Sequence, residues 1–302
     1  MNITPPLAPA LTPWRGVVMA LAVGIAFASN TSLAALAYRG GATPLAVLLA
    51  RSCTAFILLY LLLRARGVPR LLPAPQRRGA LMIGAVFAGY SYGVLVAIQY
   101  LPVGLVVATF YTFPILVGLV EWWSGRQAFS GRTAAALLIA FAGILLALDV
   151  FGAPLHRLGI ALCLAGAVGV TVVMTVSARV RGSGDSRPIT LHMLGTAIAI
   201  FSVVAVVHGG VQLPHTTLAW LAFSAAPVFY SFGIITLFVV LAEIGPVKAS
   251  LLMNIEPVTS VLLGFVLLDQ RLGHTQLLGV ALVVAAVLLI ESAKLRRTVR
   301  AA

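Results

Sequence analysis

Apolar runs of about 20 residues, each long enough to cross a bilayer core as a helix, follow one another along almost the whole chain. They fall near residues 16–38, 44–63, 79–100, 103–123, 133–150, 158–178, 189–207, 217–243, 248–268 and 275–292. No water in the hydrocarbon satisfies a backbone N–H or C=O, so only helices and closed barrels can span it. Runs of this length without strict alternation select helices. With 61% hydrophobic and 9% charged residues, no soluble domain of this size is expected. The reading is an all-α membrane protein with ten transmembrane helices.

The net charge of +13 would point to nucleic acid only if the basic residues gathered on one face or arm. They sit instead in short loops, where the positive-inside rule applies. With a cytoplasmic N-terminus, the inner side holds Arg15, Arg64, Arg66, Arg70, Arg77, Arg78, Arg126, Arg132, Arg179, Arg181, Arg187, Lys248, Lys294, Arg296, Arg297 and Arg300. Arg39, Arg157 and Arg271 fall outside, and Arg51 falls within a span. Both termini are therefore expected in the cytoplasm, and the charge needs no nucleic-acid partner. Cys53 and Cys163 lie inside apolar spans and read as packing residues. Arg15, the apolar run after it and Ala35-Leu36-Ala37 imitate a secretory signal, but the run is expected to stay as the first span because it fits an internal repeat.

That repeat is legible in motif order. Tyr90-Ser91-Tyr92-Gly93 in the third span matches Tyr230-Ser231-Phe232-Gly233 in the eighth, and Pro102-Val103 matches Pro246-Val247. Pro114 matches Pro257 to within one residue, Gly131-Arg132-Thr133 matches Gly273-His274-Thr275, and Arg39-Gly40 matches Arg181-Gly182. Five spans per half is an odd number, so the second half must enter the membrane in the opposite sense. The expected organisation is a disordered lead-in over residues 1–13, a first five-helix repeat over 14–150, a second, inverted one over 157–292, and a basic cytoplasmic tail over 293–302.

The costliest stretch runs from Leu251 to Leu272, where Asn254 and Glu256 precede Pro257 inside a span. An acid at this depth must face protein or water, and it marks a functional site by default. Pro257 has no N–H to give the carbonyl of Met253, and a broken helix beside an acid is where transporters build binding sites. Burial disfavours the charged form of a carboxylate, so Glu256 is the first candidate to bind and release a proton. The alternative is a structural acid bonded to backbone freed by Pro257. Asn254 is two residues away and cannot share its helix face.

Arg51 lies seven residues into the second span from Pro44, about 10 Å at 1.5 Å per residue. It can pair with Glu256 or hold a substrate carboxylate in its planar fork; the bland alternative is a side chain reaching back to an interface. Tyr90, Tyr92, Tyr111 and Tyr230 are candidates for an aromatic cavity wall, with helix packing as the competing role. Pro114 and Pro257 mark the helix breaks. Trp14, Trp122 and Trp123 read as interfacial belts, and Glu121 beside them as a solvated acid. His192 and His208 have no partner at metal-ligand spacing, so no metal or cofactor is called for.

Ten spans in two halves, Pro44 ahead of Arg51, Glu256-Pro257, Asp269-Gln270-Arg271-Leu272 and Gly279 together resemble the drug/metabolite transporter superfamily, specifically its EamA-type members. The resemblance covers nearly the whole chain. It implies a secondary transporter in a bacterial inner membrane, exporting small organic metabolites such as amino acids or related compounds. The sequence departs from the pattern in its first half, where Phe113 precedes Pro114 and Arg126 or Gln127 stands where Asp269 does. A membrane-embedded lipid-modifying enzyme would need His, Asp or Cys clustered at one interface, and no such cluster is present. A non-transporting scaffold subunit would leave Arg51, Asn254 and Glu256 unexplained. Substrate identity and oligomeric state are not written in the sequence.

Overall fold

The computed structural model describes residues 13–126, 130–150, 155–182, 184–268 and 273–301. Among them the chain is all helix, without a strand: α1 Pro13–Arg39, α2 Pro44–Ala65, α3 Ala74–Ala97, α4 Val103–Phe110, α5 Phe113–Trp123, α6 Gly131–Ala147, α7 Arg157–Arg181, α8 Arg187–Val207, α9 Thr217–Ile244, α10 Pro246–Leu252, α11 Ile255–Leu268 and α12 His274–Ala301. Eight helical stretches are long and apolar enough to cross a membrane, counting α4 with α5 and α10 with α11 as one stretch each, and Gly131–Ala147 and His274–Leu289 are shorter apolar helices. The protein is a multi-pass membrane protein.

Local signals set the boundaries. Pro44, Pro188 and Pro246 each occupy the first turn of their helices, where a missing N–H costs nothing. Ser130 and Thr216 cap α6 and α9 by accepting from the backbone N–H of Thr133 at 3.1 Å and Ala219 at 3.3 Å. The expected span over 103–123 is two helices, α4 and α5, parted at Tyr111-Thr112; the span over 248–268 is likewise α10 and α11, parted at Met253-Asn254. Both breaks fall just ahead of the prolines rather than at them. The Met253 carbonyl, expected to lack a partner, accepts the N–H of Glu256 at 2.9 Å. The chain has tightened its turn to satisfy the group that Pro257 abandons.

The packing pairs the two halves. Exchanging α1, α2, α3, α4–α5 and α6 for α7, α8, α9, α10–α11 and α12 carries nearly every large helix contact onto another. Thus α1 packs on α9 as α7 does on α3, α2 on α9 as α8 does on α3, and α1 on α10 and α11 as α7 does on α4 and α5. The contacts α2 with α8 and α6 with α12 map onto themselves. In the last pair a Cβ on Gly143 would stand 2.8 Å from the Gly279 carbonyl oxygen, so the two backbones meet as only small residues permit. The largest contact that breaks the exchange is α5 against α10, whose counterpart, α4 against α11, shows no comparable packing among the described residues. The bundle is drawn together at the end reached by the close of α5 and the start of α10, and is looser at the other.

Some sequence readings fall elsewhere. Residues 1–12, Gln127 and Asp269-Gln270-Arg271-Leu272 lie outside the described residues. The backbone of α12 continues as helix through residues 293–301. Trp14, Trp122 and Trp123 are exposed, as a belt requires. Glu121, expected to be solvated beside them, is only 5% exposed. It shares the buried stripe of α5 with Pro114, Val117 and Gly118, so the helix turns it away from the tryptophans' face and into the bundle.

Candidate functional site

Helices α1, α2 and α9 converge at the two breaks. Gly24 on α1 leaves room for Ile255 and the backbone of Glu256 to press against the helix. This fixes the start of α11 against α1, and Glu256 stands in its first turn, where the helix dipole favours negative charge. The Tyr111 hydroxyl donates toward the Glu256 carboxylate, bringing the α4–α5 break onto the α10–α11 break. Arg51 enters from α2, its Cζ 4.5 Å from the centre of the Tyr230 ring, a cation–π contact. Phe27 of α1 backs the same ring at 5.8 Å between centroids.

Arg51 and Glu256 do not pair directly. Arg51 is close enough for its charge to act on Glu256, Tyr90 and Tyr230. Yet no nitrogen of Arg51 lies within ion-pairing distance, 4.0 Å, of the Glu256 carboxylate, as one of Arg187 does of Asp185. A positive and a negative group, both half-buried, are held in one neighbourhood, the first against the Tyr230 ring and the second against the Tyr111 hydroxyl. Among the described residues, Nε of Arg51 and the hydroxyl of Tyr230 there have no partner, nor has Oδ1 of Asn254 in the break. An unsatisfied buried polar group costs about 1–3 kcal/mol, so this neighbourhood is built to receive water or a polar ligand.

Of the sequence candidates, Arg51, Tyr90, Tyr111, Tyr230 and Glu256 thus come together. Asn254 lies in the α10–α11 break, 2% exposed. Tyr92 is elsewhere: its hydroxyl is 3.2 Å from Nε2 of His208, whose Nδ1 faces the Val204 carbonyl at 2.9 Å. His208 is therefore a hydrogen-bond partner at the end of α8 rather than an isolated residue. The sequence reading missed four phenylalanines. Phe87 meets Tyr90 edge-on at 5.5 Å, Phe110 stacks on Tyr90 at 6.1 Å, and Phe113 lies 5.3 Å from Tyr111; Phe27 backs Tyr230. The crowding of rings in Phe110-Tyr111-Thr112-Phe113 beside Pro114 was the available signal for two of them. Among the described residues no group of His, Cys, Asp and Glu could hold a metal ion.

A pair of repeat units, each with a broken helix and together holding half-buried charges, is an arrangement that other proteins share. The profile of the EamA-like transporter family matches residues 14–148 and again residues 157–292. The chain belongs to the EamA-like transporter family. One relative in that sense is an uncharacterized transporter, YvbV, of Bacillus subtilis (strain 168), 27% identical over 205 residues. That match takes in 65% of this chain and 66% of YvbV, so the chain spans just under two thirds of its relative's length. A protein of known crystal structure superposes with a TM-score of 0.76 over 94% of this chain and 99% of its own, at 19% identity. Likeness at that identity speaks for the fold alone. The family is one of membrane transporters.

Proposed function

We propose that the protein is a secondary transporter that exports small organic metabolites, such as amino acids or related compounds, by alternating access and in exchange for protons. The observation that carries the reading is the meeting of Arg51, Tyr230, Tyr111 and Glu256 at two helix breaks. Arg51 offers a planar donor fork for a carboxylate, and Glu256 offers a site for an ammonium group or a proton, so a dipolar solute would find both its partners. Tyr111 ties the acid to the opposite half, so loading Glu256 would be felt where the halves meet. The one-sided packing of α5 on α10 fits a rocking bundle caught closed at one end. In the orientation read from the loop charges, ten spans in two inverted repeats put that closed end at the cytoplasm of a bacterial inner membrane.

Solute counterflow in proteoliposomes, across amino acids, nucleosides and aromatic cations with and without an imposed pH gradient, tests this. Accumulation that follows the gradient supports proton exchange. Accumulation indifferent to it removes Glu256 from the coupling, and no flux from folded protein overturns the transporter reading.

A further inference from the structure

Two helix starts that the repeat makes equivalent are closed in different ways. Exchanging α1 and α2 for α7 and α8 sets Thr43, just ahead of Pro44, against Ser186, two residues ahead of Pro188. Thr43 is covered by the chain itself. The loop before α9 reaches over it, the Thr43 N–H donating to the Gln212 carbonyl at 3.0 Å and the Gln212 N–H to the Thr43 hydroxyl at 3.2 Å. The loop that answers to it, before α3, is turned back on its own helix, with Arg70 donating to the Tyr60 hydroxyl at 2.8 Å. Among the described residues no hydrogen bond joins that loop to the start of α8.

What is left uncovered there is a set of donors. Ser186 is 7% exposed, and its hydroxyl, which makes no cap bond, has no hydrogen-bond partner among the described residues. In the first turn of α8 the Arg187 N–H goes to Asp185, Pro188 has none to give, and the Thr190 N–H goes to the Ser186 carbonyl. The N–H of Ile189 remains, as a helix start leaves it. From the last turn of α7 comes Arg181, whose Nε is buried without a partner among the described residues. Arg181, Ser186 and Ile189 line one cavity of about 10 Å³, framed by the ends of α7 and α9 and the start of α8, with Ser177, Phe238 and Ala242 also on its wall. That is room for a single oxygen-sized atom.

Charge says which atom. Arg77 and Arg78 stand at the start of α3, where a Cβ on Gly79 would be 2.8 Å from Cγ2 of Val180. With Arg179, Arg181 and Arg187 they gather five arginines at this end of the bundle. The acids beside them are Asp185 and Glu243. Asp185 is held by Arg187, Nε to Oδ2 at 2.9 Å, and Glu243 is exposed one residue beyond Ala242. Buried donors, the positive end of a helix dipole and a surplus of arginine select an anionic oxygen over water. A free phosphate would put one oxygen in the cavity and find no partners there for the rest. A phospholipid brings one oxygen in the same way, and its ester chains return to the bilayer along α7 and α8, both long and apolar enough to cross it.

We propose that the cavity at the α7–α8 turn binds the phosphate of an anionic phospholipid headgroup, one oxygen held by Arg181 and Ser186. The site shares no residue with the Arg51–Glu256 neighbourhood and stands whether or not the transporter reading does. The bound lipid ties α7, α8 and α9 together at the place where the first half closes over the start of α2 with a loop of its own.

The test is native mass spectrometry of the full chain in detergent, titrated with phosphatidylglycerol, with phosphatidylcholine and with inorganic phosphate; melting curves first establish that each variant is folded. The expected result is a first phosphatidylglycerol bound in preference to phosphatidylcholine. Arg181→Gln removes hydrogen bonds to a charged group and weakens that binding by about 10- to 100-fold. Ser186→Ala, which costs α8 no cap bond, weakens it by about five-fold. Arg132→Gln removes the same charge from an exposed residue at the start of α6 and leaves the binding as in wild type. Equal losses in Arg181→Gln and Arg132→Gln assign the binding to net charge and overturn the site, as does wild-type affinity in both Arg181→Gln and Ser186→Ala. Inorganic phosphate that displaces the lipid at matched concentration keeps the anion site and overturns the lipid as its occupant.

Discussion

The α4–α5 and α10–α11 breaks occupy matching places in their repeats and carry different chemistry. The second holds Asn254, Glu256 and Pro257; the first holds Tyr111, Thr112, Phe113 and Pro114. Backbone geometry is repeated, since in both the helix parts two residues before the segment bearing proline, but the charge is not. The first break supplies instead the hydroxyl that meets the acid of the second. Duplication gives two equivalent scaffolds, and divergence makes one the ligand of the other. A second acid at this spacing would have put two negative charges in one buried place, so the loss of symmetry is what permits the first.

Restoring that symmetry is the severest test. Phe113→Glu buries a carboxylate in an aromatic cluster, and an uncompensated buried charge costs about 3–5 kcal/mol, so thermal unfolding in detergent is expected to drop far below wild type. A variant as stable as wild type would mean that the first break is wet and the comparison misread. Removing the acid from the other side, Glu256→Gln is expected to keep the fold and abolish the response of counterflow to a pH gradient; wild-type flux with unaltered pH dependence would end the proton role. Tyr111→Phe deletes the group that joins the breaks. A hydrogen bond to a charged group is worth about 1.5–3 kcal/mol, or roughly 10- to 100-fold, so gradient-driven flux should fall by that factor. Tyr92→Phe, which loses only its bond to His208, should change flux much less.

The α1–α9 and α3–α7 seams give a smaller contrast: a Cβ on Gly233 would stand 2.6 Å from Cε1 of Phe27, and one on Gly93 has nothing nearer than Cδ2 of Leu162 at 3.9 Å. Gly233→Ala collides with Phe27 and is expected to destabilise by about 1–3 kcal/mol, whereas Gly93→Ala gains helix propensity by about 0.8–1 kcal/mol; paired melting curves read the difference, and equal shifts would erase the asymmetry. The least effect lies in the loop after α7, which carries Asp185 where its counterpart after α1 is tied by backbone bonds such as His215 N–H to the Gly40 carbonyl at 2.8 Å. Burial opposes the charge of Asp185, but bonds from the Arg187 side chain and backbone outweigh it and hold the carboxyl below the usual aspartate range. Its contribution is therefore present above the unfolded value of about 3.9 and fades as pH falls through the folded one. Asp185→Asn should cost about 0.2–1 kcal/mol at neutral pH, with the gap closing in acid; a gap that persisted at low pH would assign the loss to packing.

Much of this was legible in the residues. Ordered motif matches announced two halves, and Arg51, Tyr90, Tyr111, Tyr230 and Glu256 stood out because polar groups in hydrocarbon need a reason. Phe27 did not stand out, being one apolar residue among many; its meaning comes from Gly233 across the seam. Tyr92 lies apart from the others, beside His208, because two residues along a helix turn a side chain about 200° away from Tyr90. Glu121 looked solvated from its neighbours Trp122 and Trp123, and only the rotation of α5 against the bundle placed it inside.

By itself the sequence determined the membrane, the helices and the doubling of the fold, because a bilayer leaves the backbone no alternative and apolar length can be counted along the chain. It determined also that charge would be buried near Pro257. The tertiary structure alone decided that Arg51 and Glu256 share a site without pairing, that a tyrosine of one break serves the acid of the other, and that one seam is filled and its twin hollow. Each depends on residues far apart in the chain, by some seventy positions or more, meeting at contact distance, and such meetings are set by how helices pack, which local composition does not encode.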